Sequence, residues 1–159
     1  FDKGWVTVSK FKIYAKSILL PIIAGGIIGL IIPGFMDYDS LNKPPLSPPQ
    51  ILFPIVWGVL YILMGISYGI LKSKSLTDKT IDFVYYIQLA VNLLWPIAFF
   101  VLKWRLLALV IIIILDVFVF VMGLLFYSKD ELAGILQIPY FLWIIFATYL
   151  DLMIFILNL

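Results

Sequence analysis

Twenty-two consecutive residues, Leu106 to Tyr127, carry a single charged side chain, Asp116. Such a run is too long for a buried strand and too apolar for the water-facing side of a soluble helix. In lipid the backbone must satisfy its own polar groups within the segment, so the run predicts a membrane-spanning helix. Four more stretches follow the same logic: residues 14–32, 51–71, 80–102 and 132–157. At about 20 residues per span, five spans use most of the 159 residues and leave short connections. The composition agrees, with 64% hydrophobic and 13% charged residues against about a quarter charged in an ordinary soluble domain. The expected fold is an all-α integral membrane protein, a bundle of five transmembrane helices forming one domain over residues 1–159. A β-barrel would need alternating polarity, which is not visible.

Residues 33–50, PGFMDYDSLNKPPLSPPQ, make the one long connection. Five prolines in eighteen residues remove backbone donors and favour extended or turn geometry. Pro54 falls in the first turn of the second span, where a missing N–H is tolerated. Pro96 lies deep in the third, where a kink is expected. The first span is too long for a signal peptide and lacks a small-residue cleavage site. Residue 1 is Phe rather than Met, which leaves room for a start upstream.

Lys and Arg side chains divide eight to three between the two ends of such a bundle. Lys3, Lys10, Lys12, Lys16, Lys72, Lys74, Lys79 and Lys129 share the amino-terminal end; Lys43, Lys103 and Arg105 share the other. The positive-inside tendency then places the amino terminus in the cytoplasm and the proline-rich loop and carboxyl terminus outside. Trp5, Trp57 and Trp104 fall near span ends and read as interface anchors.

The chain contains neither Cys nor His, which excludes thiolate or imidazole metal sites, axial-His haem, and Ser-His or Cys-His catalysis. No metal, cofactor or catalytic residue is expected. A formal charge of +2 without a basic tract gives no reason to expect nucleic acid.

Two helix faces carry the polar and aromatic groups of the apolar interior. Gln88, Asn92, Trp95 and Phe99 are spaced by four, three and four, so they stack on one side of the third helix. Tyr140, Trp143, Ala147 and the Leu150–Asp151 pair do the same on the fifth. Lipid disfavours such stripes, so both should look into the bundle. There they either join helices directly or enclose a pocket for a flat hydrophobic ligand, and the small Ala147 leaves room for the second arrangement. Gly25 with Gly29, and Gly65 with Gly69, are each four apart and suit close helix crossings. Asp116, at mid-span, must be protonated or bonded within the bundle. It could serve a structural or dimer contact, or a proton relay with Asp151.

At this point the chain resembles the translocator protein / tryptophan-rich sensory protein family, also called the peripheral-type benzodiazepine receptor family. Asn42-Lys43-Pro44-Pro45-Leu46-Ser47-Pro48-Pro49, running on into Val56-Trp57-Gly58-Val59-Leu60-Tyr61-Ile62-Leu63-Met64-Gly65, is similar to its proline-rich loop and second helix. Gln88 through Pro96 with Phe99-Phe100 resembles the third-helix block, and Pro139-Tyr140-Phe141-Leu142-Trp143 through Leu150 the fifth. The resemblance implies a homodimeric bundle whose cavity, capped by the loop, takes porphyrins such as protoporphyrin IX and other planar hydrophobic molecules, and sterols in some branches, with transport of the guest across the bilayer as an open further role. By position it assigns Asn92, Trp95, Phe99, Trp143, Ala147 and Leu150 to the cavity, with Tyr140 beside them and Lys43 and Leu46 in the lid. Three positions depart from the pattern. Leu46 replaces a loop Trp that members reported to degrade porphyrin in light use together with the one matching Trp143, which weakens an enzymatic reading. Asp151 replaces an Asn, which would add a negative charge at the cavity's end; proton-coupled transport through Asp116 or Asp151 is a separate alternative. Leu152 stands where the sterol motif has Tyr, with no basic residue following, so that motif is not supported.

Overall fold

The computed structural model describes the backbone of residues 2–159 and the side chains from Ser9 onward. Trp5 and Lys3, read above as an anchor and a topogenic charge, have side chains outside the described residues. Helix α1 (Asp2–Ile31) is followed by a 3-10 turn, Ile32–Phe35, that begins around Pro33. After the proline-rich loop come α2 (Leu52–Ser73), α3 (Lys79–Pro96), α4 (Arg105–Lys129), a short α5 (Glu131–Ile135) and α6 (Ile138–Leu157). Five helical segments are long and apolar enough to cross a bilayer, and the chain is a multi-pass integral membrane protein.

Three boundaries differ from expectation, each for a local reason. α1 starts well before residue 14 because nothing in the preceding polar sequence breaks a helix. The third span does not simply kink at Pro96. The proline lacks the N–H that a continuing helix would use, and the following turn, Ile97–Val101, widens to π geometry. The Leu102 N–H bonds back to the Ile97 carbonyl at 2.9 Å, and Lys103 at φ 52° ends the segment. The fifth span is two helices rather than one. Pro139 sits in the first turn of α6, where its missing donor is harmless, and the chain turns at Leu136 and Gln137.

α1 packs chiefly along α2, α3 along α4, and α4 along α6 and α5. The first of these crossings is close because Gly65 lies against the backbone of Ser17 and Ile18, where a Cβ would collide. Outward faces are apolar throughout α4, with Val110, Ile113, Val117 and Phe120 exposed, as a lipid-facing helix requires.

Candidate functional site

The polar stripe of α3 is buried as its spacing predicts: Gln88, Asn92, Trp95 and Phe99 are each under 7% exposed. On α6, Tyr140, Ala147, Leu150 and Asp151 are buried too. The two stripes meet by direct hydrogen bonds. Asn92 Nδ2 donates to the Tyr140 hydroxyl at 2.7 Å, and that hydroxyl donates to Gln88 Oε1 at 2.8 Å. Tyr61 on α2 donates to Asn92 Oδ1 at 2.8 Å, and Gln88 Nε2 reaches Met64 Sδ at 3.3 Å. Further along, Trp95 Nε1 donates to Asp151 Oδ2 at 2.7 Å. Buried amides and hydroxyls thus satisfy one another across three helices, an arrangement that fixes helix register because a slip would leave them unpaired.

Between the α3 and α6 faces only a small void of about 20 Å³ remains, walled by Phe99, Ala147, Leu150 and Asp151 with Tyr38 and Phe53. The large hollow, about 690 Å³, lies on the other flank of α3. Its walls are Gly25, Gly26 and Gly29 of α1, Trp57 and Tyr61 of α2, Asn92 and Trp95 of α3, and Phe100 of the π turn that follows. Met36, Asp39, Gln50 and Ile51 close its loop end. This volume falls within the range of small-molecule sites, about 300 to 1,000 Å³.

The expected residues therefore separate into groups. Asn92 and Trp95 line the large cavity. Phe99, Ala147 and Leu150 line the small void behind Trp95. Tyr140 stands behind Asn92 as its hydrogen-bond partner. Trp143 packs edge-on to Phe53 at 6.1 Å between ring centroids and against Phe146, lining neither space. Its buried Nε1 has no partner among the described residues. Lys43 turns away from the hollow: its Nζ donates to the Tyr38 carbonyl at 2.9 Å and lies 4.7 Å from that ring's centroid. Leu46, at φ 69°, points outward and is 82% exposed.

Sequence reasoning missed the α1 and α2 walls. Trp57, read as an interface anchor, stands inside, 5.7 Å from the Tyr61 ring and 6.3 Å from that of Tyr140. The available signal was three glycines within five residues, Gly25, Gly26 and Gly29. Gly25 abuts the Tyr61 ring as a packing glycine does, whereas a Cβ at Gly26 or Gly29 would meet nothing within 4 Å. The helix is cut back on that side, and the room so left is the cavity.

The loop is held over this end by bonds to distant helices. Asp37 accepts from Arg105 at 2.6 Å, and Arg105 also donates to the Phe99 carbonyl that the π turn presents. Asn42 and Asn158 exchange two hydrogen bonds, at 3.0 and 2.9 Å. The Tyr38 hydroxyl donates to the Pro48 carbonyl at 2.9 Å, and burial holds it above its ordinary pKa. Asp116 is half-buried and accepts from Thr148 at 2.8 Å, tying α4 to α6.

Five apolar spans, a half-open hollow among the first three and a proline-rich loop strapped across one end define a small polytopic membrane protein. The TspO/MBR family model matches residues 17–157. The chain is 37% identical over 139 residues to protein CrtK of Rhodobacter capsulatus, covering 85% of this chain and 86% of that one. It is 34% identical to the tryptophan-rich protein TspO of Chlorobaculum tepidum, over 79% of this chain and 82% of that one. To the translocator protein of Bos taurus it is 34% identical, over 84% and 82% of the two chains. The chain belongs to the TspO/MBR family of membrane sensor and translocator proteins.

Proposed function

We propose that this protein binds planar hydrophobic molecules of the porphyrin class in the cavity between α1, α2 and α3, as a membrane receptor able to pass them on. The observation that carries the reading is a hollow of about 690 Å³ walled by glycine backbone on one side and the Trp57 and Trp95 indoles on the other. Flat glycine surface facing aromatic rings accommodates a flat, apolar guest, and Tyr61 and Asn92 supply the few polar atoms that orient one. Oxidative breakdown of the guest through position 46 is not part of the proposal, because Leu46 has no oxidisable ring and faces away from the cavity.

Two further expectations belong to the same reading. The excess of lysines at the amino-terminal end supports an orientation with that end in the cytoplasm. The apolar outer face of α4 offers area to a second chain as readily as to lipid, in keeping with the homodimer that the family resemblance implies.

The test is a fluorescence titration of the detergent-solubilised protein with protoporphyrin IX and with its dimethyl ester. Saturable quenching by at least one of them is expected, since two tryptophans wall the cavity. Gly29→Leu, whose side chain would project into the open space, should abolish it. Quenching that persists undiminished in Gly29→Leu would put the ligand elsewhere.

A further inference from the structure

We infer that Asp151 is a positioning residue of the cavity: by accepting the Trp95 indole N–H from behind the wall, it holds that ring back and sets how much room a guest finds. This rests on the proposed reading of the hollow as a porphyrin-class site and adds the residue that governs its width.

Three rings, Phe53, Trp95 and Phe100, border both the large hollow and the small void between α3 and α6. Of these only Trp95 carries a polar atom. That atom, Nε1, is tied on the void side, where Asp151 Oδ2 accepts its proton at 2.7 Å. Although Trp95 lines the hollow, it is 6% exposed, so it shows a guest an edge and keeps its bulk within the wall. Phe99 and Phe100 pack against it at 5.4 and 6.2 Å between ring centroids.

Helix register does not call for this bond, because the Asn92–Tyr140–Gln88 chain already pins α3 to α6. Asp151 is 1% exposed, and among the described residues its other oxygen, Oδ1, is buried without a partner. A carboxyl is costly to bury, and an apolar side chain of similar size would fill the space at less cost. What the carboxyl adds is a fixed acceptor for the indole.

The room around the ring is unequal. The void behind it is about 20 Å³, space for about one water, so the indole cannot retreat. The hollow in front offers about 690 Å³. With the acceptor removed, the indole N–H is stranded in the wall and the ring turns into the hollow, narrowing it. A guest must then push the ring back to a place where its N–H has no partner, and that cost lowers affinity.

The test compares wild type with Asp151→Asn, which keeps a carbonyl acceptor, and with Asp151→Leu, which does not; Asp151→Val serves as the apolar variant if Asp151→Leu does not fold. The first readout is taken without ligand, on protein isotope-labelled at its indole nitrogens, with the Trp95 N–H resonance assigned by its loss in Trp95→Phe. That proton should exchange with deuterium about tenfold faster in Asp151→Leu and stay protected in Asp151→Asn. The second readout is titration with protoporphyrin IX. Asp151→Leu should weaken binding about tenfold, or about 1.4 kcal/mol, and Asp151→Asn should match wild type within about twofold. In a Trp95→Phe background the loss caused by Asp151→Leu should vanish. Unchanged protection or unchanged affinity in Asp151→Leu overturns the inference. So does a loss of affinity that persists in Trp95→Phe, since Asp151 would then act on the fold and not through the ring. The proposed function fails separately: if wild type gives no protoporphyrin signal that Gly29→Leu removes, the hollow is not the site, while the exchange measurement still decides whether Asp151 holds the ring.

Discussion

At the scale of single residues, identical glycines do opposite work. Gly65 exists so that α1 can approach: a Cβ there falls onto the Ile18 backbone, which cannot move without separating the two helices. Gly26 faces open space. Gly65→Ala should therefore lower stability by about 1 to 3 kcal/mol, the usual range for overpacking. Gly26→Ala should leave it unchanged or slightly raised, since alanine is the better helix former. Thermal unfolding of the two variants in the same detergent checks this, and similar midpoints would refute the assigned roles. Asn92 makes the same point with polarity. It joins Tyr61 to Tyr140 in the interior, so Asn92→Ala strands the Tyr61 hydroxyl and removes one donor from Tyr140, which keeps its bond to Gln88, and should cost about 1 to 3 kcal/mol. In a double-mutant cycle with Tyr140→Phe the losses should fall short of additive, because both variants break the same bond.

At the scale of elements, the connections at the amino-terminal end are tied by charge. Asp130 caps α5, accepting from the Ala133 N–H at 3.0 Å, and accepts from Lys74 of the α2–α3 connection at 2.6 Å. The Lys74 bond first, and the cap second, hold its pKa below the ordinary carboxylate value. A pKa depressed by folding means stabilisation that is present above the unfolded value, near 3.9, and lost as pH falls through the folded one. Asp78, capping α3 through the Ile81 N–H, is shifted the same way. Stability should thus fall on acidification below about pH 4, and Asp130→Asn should flatten part of that fall while preserving a cap. Asp130→Ala should lose about 1 kcal/mol more than Asp130→Asn at neutral pH. Denaturation midpoints between pH 3 and 7 would decide; an acid limb of equal steepness in Asp130→Asn would count against the pairing. Long apolar runs made these elements legible in sequence. The π turn after Pro96 and the split at Gln137 were not, because a proline announces that a helix must adjust but not whether it bends, widens or restarts.

For the whole molecule, periodicity identified which faces turn inward but not which face meets which. Asn92 and Trp95 were readable as interior residues. That Tyr140 and Asp151 would bond to them, closing the α3–α6 side and moving the hollow to the α1 side, depends on pairings between distant segments that no local spacing encodes. Leu46 escaped for a similar reason: its place in the loop was evident, its outward aim was set by a backbone at φ 69°. Several of the counted charges keep their expected end in the folded molecule. Lys74 and Lys129 reach Asp130 and Asp78 at one end, where Tyr14 of α1 also approaches Ser73. Lys43, Lys103 and Arg105 gather around Asp37 and Asp39 at the other. If lysine excess governs insertion, the Asp37 end faces outward from the cytoplasm. The absence of native cysteine makes this directly measurable with single replacements at exposed positions. Ser40→Cys should react with a membrane-impermeant maleimide in intact cells, and Thr80→Cys only after permeabilisation. The reverse pattern would invert the protein in its membrane, presenting the loop-capped end of the cavity to the cytoplasm instead.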